Sequence, residues 1–539
     1  MAVPEARFRG NPWPVIAVLC LGLFMTLLDL TIVNVAIPRI VDGVQASLDQ
    51  VLWVLNGYSL AYAVLLITSG RTGDILGPRN VFTAGLALFT AASAFSGFAQ
   101  DPAQLIAGRA LQGVGAALIA PQTLPLVMSI LPADRRGGAF ALTGIMAGLA
   151  VVAGPTLGGF LVTHFGWRWI FFVNLPVGVL AVLLTLLLVP DLRPGRRHRL
   201  DLVGVLLATT GLFGVVFGLI EGQRYDWGTI TGSLTIPEVI GAGILLLGFF
   251  AVFQALRQDR EPLLPFAVFR DRNFALVAGV ATAMGFCVLA LFLPLTIFYQ
   301  SVLGLSAQDA GLTIAPQALA MMFVSPVAGP LAQRLGGRYI LMLGLAMLAA
   351  GISYIAWMAQ ADAARWSLLP GLIVNGVGMG CIWSPMYSIA MRDLKPHLAG
   401  AASGVLNTVQ ELGGVIATAS VGALLQNRLA TALHEQALQD AGRLPAELRE
   451  RFVSGFGSAR SGLEIGAGQS GVPLPSGLPT QVALQLQQVA HQVFTHAFVA
   501  AMRPTLVAPV VVLVLAALSC LAMRRRAGAP GQFIAEEAA

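Results

Sequence analysis

The sequence predicts an all-α membrane protein of fourteen transmembrane helices, arranged as two six-helix bundles with two accessory helices between them. Three observations carry this. Of the 539 residues, 56% are hydrophobic and only 11% charged, with a mean hydropathy of +0.78; a soluble domain carries about a quarter charged residues. Apolar runs of the roughly 20 residues that a spanning helix needs recur along the whole chain. Two sequence patterns in the first half return in the second.

In order, the candidate spans lie at about 14–38, 51–70, 80–99, 104–130, 138–163, 168–190, 201–221, 236–256, 274–298, 310–332, 338–358, 367–391, 398–426 and 498–522. The first is long enough to span and shows no small-residue cleavage site, so it reads as an uncleaved insertion signal. An even number of spans puts both termini on one side, and basic residues say which. One set of loops holds Arg71, Arg79, Arg135, Arg136, Arg193, Arg196, Arg197, Arg199, Arg257, Arg260, Arg270, Arg272, Arg334, Arg338, Arg392 and Lys395, and the tails add Arg7, Arg9 and Arg524–Arg526. The short loops of the other set hold Arg39, Arg168, Arg224 and Arg365. Both termini are therefore expected to be cytoplasmic. The linker RPGRRHR at 193–199 is expected to anchor topology against anionic lipid.

Residues 427–497 form one long outer loop. Its centre, SGFGSARSGLEIGAGQSGVPLPSGLP, is expected to be irregular. Its flanks, RLATALHEQALQDAG and PTQVALQLQQVAHQVF, have a helical, amphipathic pattern and either extend the last two spans or lie on the membrane surface. The internal repeat pairs GRTGDILGPR with GPLAQRLGGR, and RALQGVGAALIAP with LIVNGVGMGCIWSP, each separated by roughly 260 residues. Repeats of this kind place a site between the halves of a transporter. The expected domains are residues 1–192, a six-helix bundle; 193–273, two accessory spans and their linkers; and 274–539, the second bundle with the long loop.

The net charge of +6 does not indicate nucleic acid, because the arginines are scattered over short loops. No metal-ligand spacing and no G-x-x-x-x-G-K-[ST] nucleotide cradle are present, so no cofactor, no enzyme activity and no ATP-driven pump is expected. Cys20, Cys287, Cys381 and Cys520 fall in apolar runs and read as small buried hydrophobes.

A charged carboxylate at the bilayer centre costs about 2.5–3.5 kcal/mol on insertion scales. Asp29, in LLDLTIVNVAIPRI with Thr31 and Asn34 beside it, is therefore expected to face a cavity, where it can take a proton from one side and release it to the other or attract a lipophilic cation. The plainer reading is an aspartate bonded to Thr31 or Asn34 that fixes helix packing. Glu411, in VQELGGVI, is a second acid, in the other half. It is read as binding proton or substrate, or more plainly as meeting an arginine or water near the surface. Arg109 must pair or hydrogen-bond, and Gln112 shares its helix face one turn on. Glu221 is read as exposed at the outer surface. Trp53, Tyr58, Phe292, Phe298, Met321, Met322, Trp383, Met386 and Tyr387 are candidates for lining a cavity; ordinary packing is the alternative for each.

LDLTIVNVAIPRI, RALQGVGAALIAP, GPTLGGFL, WRWIFFVNLPVG, PLLPFAVFRDRNF and NTVQELGGVIA, in this order, resemble the signatures of the major facilitator superfamily, and within it the fourteen-helix drug:proton antiporters. The resemblance runs from about residue 25 to 426 and implies a major facilitator fold. It implies proton-coupled efflux of hydrophobic, often cationic, small molecules from a bacterial plasma membrane, a multidrug or antibiotic-resistance function. Protons, lipids and small substrates are the implied partners, and a monomer is expected. It further implies that Arg109 assists proton transfer or steers a carboxyl's pKa, a structural tie to backbone carbonyls being the plainer reading; that Gly70, Asp74, Gly77 and Arg79 gate the halves with Asp74 on a helix N-terminus; and that Gly154, Pro155, Gly158 and Gly159 are the antiporter motif. The chain departs from the pattern at Ile75 and Pro78, where basic residues are common, and at Ala150, where glycine is usual. The pattern does not itself predict Glu411. The alternatives are a dedicated exporter of one natural product or lipid, an uptake or uniport carrier, and a non-transporting sensor or assembly partner.

Overall fold

The computed structural model describes residues 11–132, 135–191, 201–258, 262–392, 394–395, 398–444, 446–457 and 480–524. Among them are fourteen helices long and apolar enough to cross a bilayer: α1 (Pro12–Ile37), α2 (Gln50–Leu76), α3 (Pro78–Phe98), α4 (Pro102–Ile130), α5 (Arg136–His164), α6 (Trp169–Leu188), α7 (Leu202–Glu221), α8 (Ile236–Ala255), α9 (Arg272–Val302), α10 (Gln308–Ala332), α11 (Gly337–Met358), α12 (Leu369–Ala390), α13 (Ala399–Arg443) and α14 (Leu484–Cys520). The chain is a multi-pass membrane protein. Leu187, Leu245 and Phe249 stand exposed on α6 and α8, an apolar exterior suited to hydrocarbon.

Local chemistry starts and stops these helices. Asn11, Asp101, Asp201 and Ser306 cap helix starts with side-chain oxygens. Ser47–Gln50 and Thr235–Glu238 form complete capping boxes, satisfying otherwise orphaned backbone donors. Between α2 and α3, and again between α10 and α11, a single glycine makes the turn: Gly77 at φ 90° and Gly336 at φ 99°, which side chains rarely adopt. A short hairpin, β1 (Thr229–Thr231) and β2 (Leu234–Thr235), joins α7 to α8.

The two halves repeat each other in packing. Helix α4 packs against α2 and α3 as α12 packs against α10 and α11; α1 lies on α5 and α6 as α9 lies on α13 and α14. Between the halves, α5 runs against α10 and α2 against α13. The accessory helices α7 and α8 pack on one another, and α7 also covers α2 and α13; Gln223 donates to the Ala419 carbonyl at 3.2 Å.

Small residues bring the halves together at the face whose loops carry Arg71, Arg79, Arg334 and Arg338. A Cβ on Gly70 would come within 2.5 Å of the Gly400 carbonyl, and one on Gly329 within 3.1 Å of the Gly137 carbonyl. Ser384 donates to that same Gly137 carbonyl at 3.0 Å, and the Phe140 and Tyr387 rings meet at 5.9 Å. The basic face is thus closed in this structure.

The flanks of the long loop extend the last two spans. The helix of α13 runs unbroken to Asp440, an amphipathic helix follows at Ala446–Gly457, and the next begins at Thr480. The first four residues of the loop's centre, 454–457, belong to that amphipathic helix rather than being irregular; the rest, 458–479, lies outside the described residues, as do the RPGRRHR linker and Arg7, Arg9, Arg525 and Arg526. All four cysteines are free and buried.

Candidate functional site

Asp29 and Arg109 meet in the heart of the first bundle. Asp29 is fully buried and Arg109 is 1% exposed. Each sits two to three turns inside its helix, and α1 and α4 face one another there. Arg109 Nη1 donates to Asp29 Oδ2. The other carboxylate oxygen accepts from Gln112 Nε2 at 3.1 Å and from Asn174 Nδ2 at 3.2 Å. Arg109 also donates to Gln112 Oε1 at 3.0 Å and through Nε to the Val54 carbonyl at 3.1 Å, while its guanidinium lies 4.5 Å from the centre of the Tyr58 ring. Ser93 accepts from Asn174 at 3.1 Å, and Ser96 donates to Gln112 at 3.4 Å. Such saturation is what two buried charges require, because desolvation otherwise outweighs their attraction.

This enclosure corrects two expectations. Asp29 does not look into an open chamber: its own half surrounds it. Asn34 does not belong to the cluster, because it stands exposed and donates back to the Leu30 carbonyl at 2.9 Å. Thr31 instead ties α1 to α5 through the Ala150 carbonyl at 3.1 Å. Gln112 and Arg109 are brought to Asp29. Asn174, Ser93 and Ser96 were missed; Asn174 stood in WRWIFFVNLPVG as a lone amide in an apolar run, and the two serines carried no signal.

Glu411 lies on α13, half-buried, with no hydrogen bond or ion pair among the described residues. Tyr58, beneath the Arg109 guanidinium, stacks on Tyr62 one turn along α2 at 6.2 Å and 20°. Helix α2, which carries both tyrosines, packs against α13, which carries Glu411. One aromatic pair therefore runs from the charged cluster along α2, the helix that packs against the one bearing the unpaired carboxylate.

At the basic face Asp74 accepts from the backbone N–H groups of Gly400 and Ala401, both at 3.1 Å. These are the first donors of α13, so a carboxylate of one half sits on the helix N-terminus of the other. Arg71 lies 3.9 Å from Asp74. Gly70 provides the close approach and Gly77 the turn. Arg79 does not cross the seam; it donates to the Leu186 carbonyl at the end of α6, in its own half. In the glycine run of α5, Gly154 packs on Thr31 and Gly158 on Ile32 of α1, while Gly159 faces Gln308 of α10. The Pro155 side chain lies outside the described residues.

The aromatic and methionine candidates divide. Phe292 and Met321 line a cavity in the second half. Tyr58 belongs to the charged cluster, and Tyr387 to the closed seam. Trp53 packs on Phe217 of α7 at 6.0 Å, and Phe298 and Met386 are fully buried core. Met322 and Trp383 are half-buried outside that cavity, Trp383 against Tyr387 at 5.9 Å. Glu221 is not exposed: at 2% it is buried, and Arg224 satisfies it at 3.1 Å.

Comparison with known proteins gives a consistent picture. The family model described as Major Facilitator Superfamily matches residues 19–418. The chain is 40% identical over 462 residues to the uncharacterized MFS-type transporter Rv1250 of Mycobacterium tuberculosis, covering 84% of this chain and 78% of that one. It is 35% identical to the probable actinorhodin transporter of Streptomyces coelicolor, covering 83% and 78%. It is 30% identical to the tetracenomycin C resistance and export protein of Streptomyces glaucescens, covering 91% and 88%. In fold it is similar to the crystal structure of the human organic anion transporter MFSD10, with a TM-score of 0.59 at 13% identity, over 95% of this chain and all of that one.

Proposed function

Because the chain belongs to the Major Facilitator Superfamily, and is thus a transporter rather than an enzyme, we propose that it exports hydrophobic, often cationic, small molecules across the plasma membrane in exchange for protons, with both termini cytoplasmic. The observation that carries this is the pair of acids: Asp29 locked to Arg109 in one half and Glu411 unpaired in the other, with the Tyr58–Tyr62 stack on the helix that packs against both halves.

The steps follow from those contacts. Deprotonated Asp29 holds Arg109, Gln112 and Asn174 in one arrangement. A proton delivered to Asp29 removes the charge that fixes Arg109 and loosens the cluster. Deprotonated Glu411 attracts a lipophilic cation; its protonation weakens that hold. With the basic face open, both acids release protons to the cytoplasm and substrate enters. The halves then rock along the α5–α10 and α2–α13 seams, Asp74 recaptures the N-terminus of α13, and the basic face closes as it is here. Protons arriving from outside re-occupy the acids and expel the substrate. Alternation of this type moves paired repeats about a fixed site.

The relatives support small-molecule export, since their names speak of antibiotic transport and resistance. Names built on one compound also favour a second reading, a dedicated exporter using the same machinery. A panel of lipophilic cations and neutral aromatics, driven by a pH gradient in proteoliposomes, decides between them. Wild type is expected to concentrate several cations. Asp29→Asn is expected to abolish gradient-driven accumulation while permitting downhill exchange, and Glu411→Gln to weaken cations selectively. Intact uphill flux in Asp29→Asn removes the proton role from Asp29.

A further inference from the structure

The internal repeat places a second site opposite the charged cluster. In RALQGVG and LIVNGVG, Gln112 corresponds to Asn375, Gly113 to Gly376 and Gly115 to Gly378, while Leu372 stands where the first half has Arg109. The packing obeys the same correspondence. A Cβ on Gly113 would strike the Tyr58 carbonyl, and one on Gly376 the Gln317 carbonyl. A Cβ on Gly115 would meet the Phe89 nitrogen at 2.7 Å, and one on Gly378 the Leu348 nitrogen at 2.7 Å. Gln317 thus takes the place of Tyr58. Where the first half is filled by an ion pair and its ligands, the second half has a cavity of about 60 Å³, room for about four waters.

The cavity walls are apolar, with Leu291, Phe292, Met321 and Met379 among them; Asn375 and Gln317 are the two side-chain amides there, and no charged group lines it. Asn375 is fully buried and Gln317 is 9% exposed. Among the described residues, neither Nδ2 nor Oδ1 of Asn375 has a hydrogen-bond partner, nor does Oε1 of Gln317; Gln317 Nε2 reaches only the Met379 sulfur at 3.4 Å. Buried amides are costly when unpaired. Gly148 of α5 closes the cavity from the first half, so it abuts the seam between the halves. It begins at Cys287 on α9, two residues past Gly285, which packs on the Gln410 carbonyl beside Glu411.

We propose that this pocket binds the neutral, hydrogen-bonding end of the substrate, a carboxamide on an apolar body being its best match. An asparagine amide offers donors and an acceptor together, which a primary carboxamide answers reciprocally, and Gln317 Oε1 accepts a further N–H. An ionised group is refused, because nothing in the wall neutralises it. The inference rests on the transport reading above and assigns the substrate's two ends: the cationic end to Glu411, the neutral end to Asn375 and Gln317.

Equilibrium binding to full-length protein in nanodiscs, at one pH on both faces, tests it. The probes are anthracene-9-carboxamide, anthracene and anthracene-9-carboxylate. Wild type is expected to bind the carboxamide about tenfold more tightly than the hydrocarbon and the carboxylate more weakly than either. Asn375→Leu is expected to erase the preference for the carboxamide without weakening anthracene; Gln317→Leu reduces it and carries the test if Asn375→Leu does not fold. Asn375→Gln, which keeps an amide, is expected to restore part of it. A wild type that does not distinguish carboxamide from hydrocarbon, or Leu variants that keep the full preference, overturns the proposal. Because no gradient is applied, wild type that shows the preference yet no pH-driven flux removes the transport reading and leaves the pocket standing.

Discussion

At the scale of single residues the chemistry is concentrated in one buried ion pair. Asp29 and Arg109 are almost fully withdrawn from solvent, and each exhausts the polar groups around it. Removing one member strands the other, at about 3–5 kcal/mol. Arg109→Ala and Asp29→Ala are therefore each expected to lower the thermal unfolding midpoint in nanodiscs markedly. The double variant should lose less than the sum, because no uncompensated charge remains. Strict additivity would mean that the two side chains do not interact. The sequence made Asp29, Arg109 and Gln112 candidates, since charge in a spanning segment is conspicuous. It could not show Asn174 as the fourth member, because an amide 145 residues from Asp29 in an apolar run acquires meaning only when α6 is laid beside α1. Asn34 does not join the cluster: five residues from Asp29 along a helix, its side chain points to another face.

At the scale of elements, the closed basic face depends on α2 meeting α13. Gly70 allows backbone approach, and Asp74 completes the first turn of α13. Gly70→Val places atoms where the Gly400 carbonyl stands and is expected to hold the face open. Labelling of Ser384→Cys by a membrane-impermeant thiol reagent from that face should then rise several-fold. Asp74→Asn removes a charge–dipole attraction of about 0.3–1 kcal/mol and should raise labelling about two- to fivefold, the smaller effect of the two. Unchanged labelling in both would mean that the seam does not open there. GRTGDILGPR and GPLAQRLGGR were legible as related turns, and Gly77 and Gly336 do share a left-handed backbone. That Arg79 serves its own half rather than the seam was not legible, because reach depends on where α6 ends.

At the scale of the whole molecule, two six-helix bundles related by a repeat meet along two mirrored seams, α5 on α10 and α2 on α13. Rocking requires those seams to slide, and a covalent tie should stop it. The double variant Gly137→Cys with Ser384→Cys joins positions now linked by a 3.0 Å hydrogen bond. Oxidation is expected to abolish flux in proteoliposomes and a reductant to restore it; flux that survives complete crosslinking would exclude movement at this seam. A second expectation concerns driving force. An exchange that moves net charge responds to membrane potential by about 2.3 kcal/mol per charge per 100 mV. Two protons for one monovalent cation should therefore show potential dependence, and one for one should not.

The number of spans, their limits to within about six residues away from the long loop, the repeat, and the acids that merit attention are all legible along the chain. They are legible because the bilayer imposes a length and an apolar composition on every crossing, and because a charge there stands out from its own neighbours. The packing of helices sets which acid is sealed and which is unpaired, and brings Tyr58 under Arg109 while it stacks on Tyr62. It also decided that Gln112's counterpart, Asn375, looks into a cavity. Those properties belong to distances between helices far apart in the chain, and the pattern along any one helix is the same whether its neighbour supplies a partner or a void.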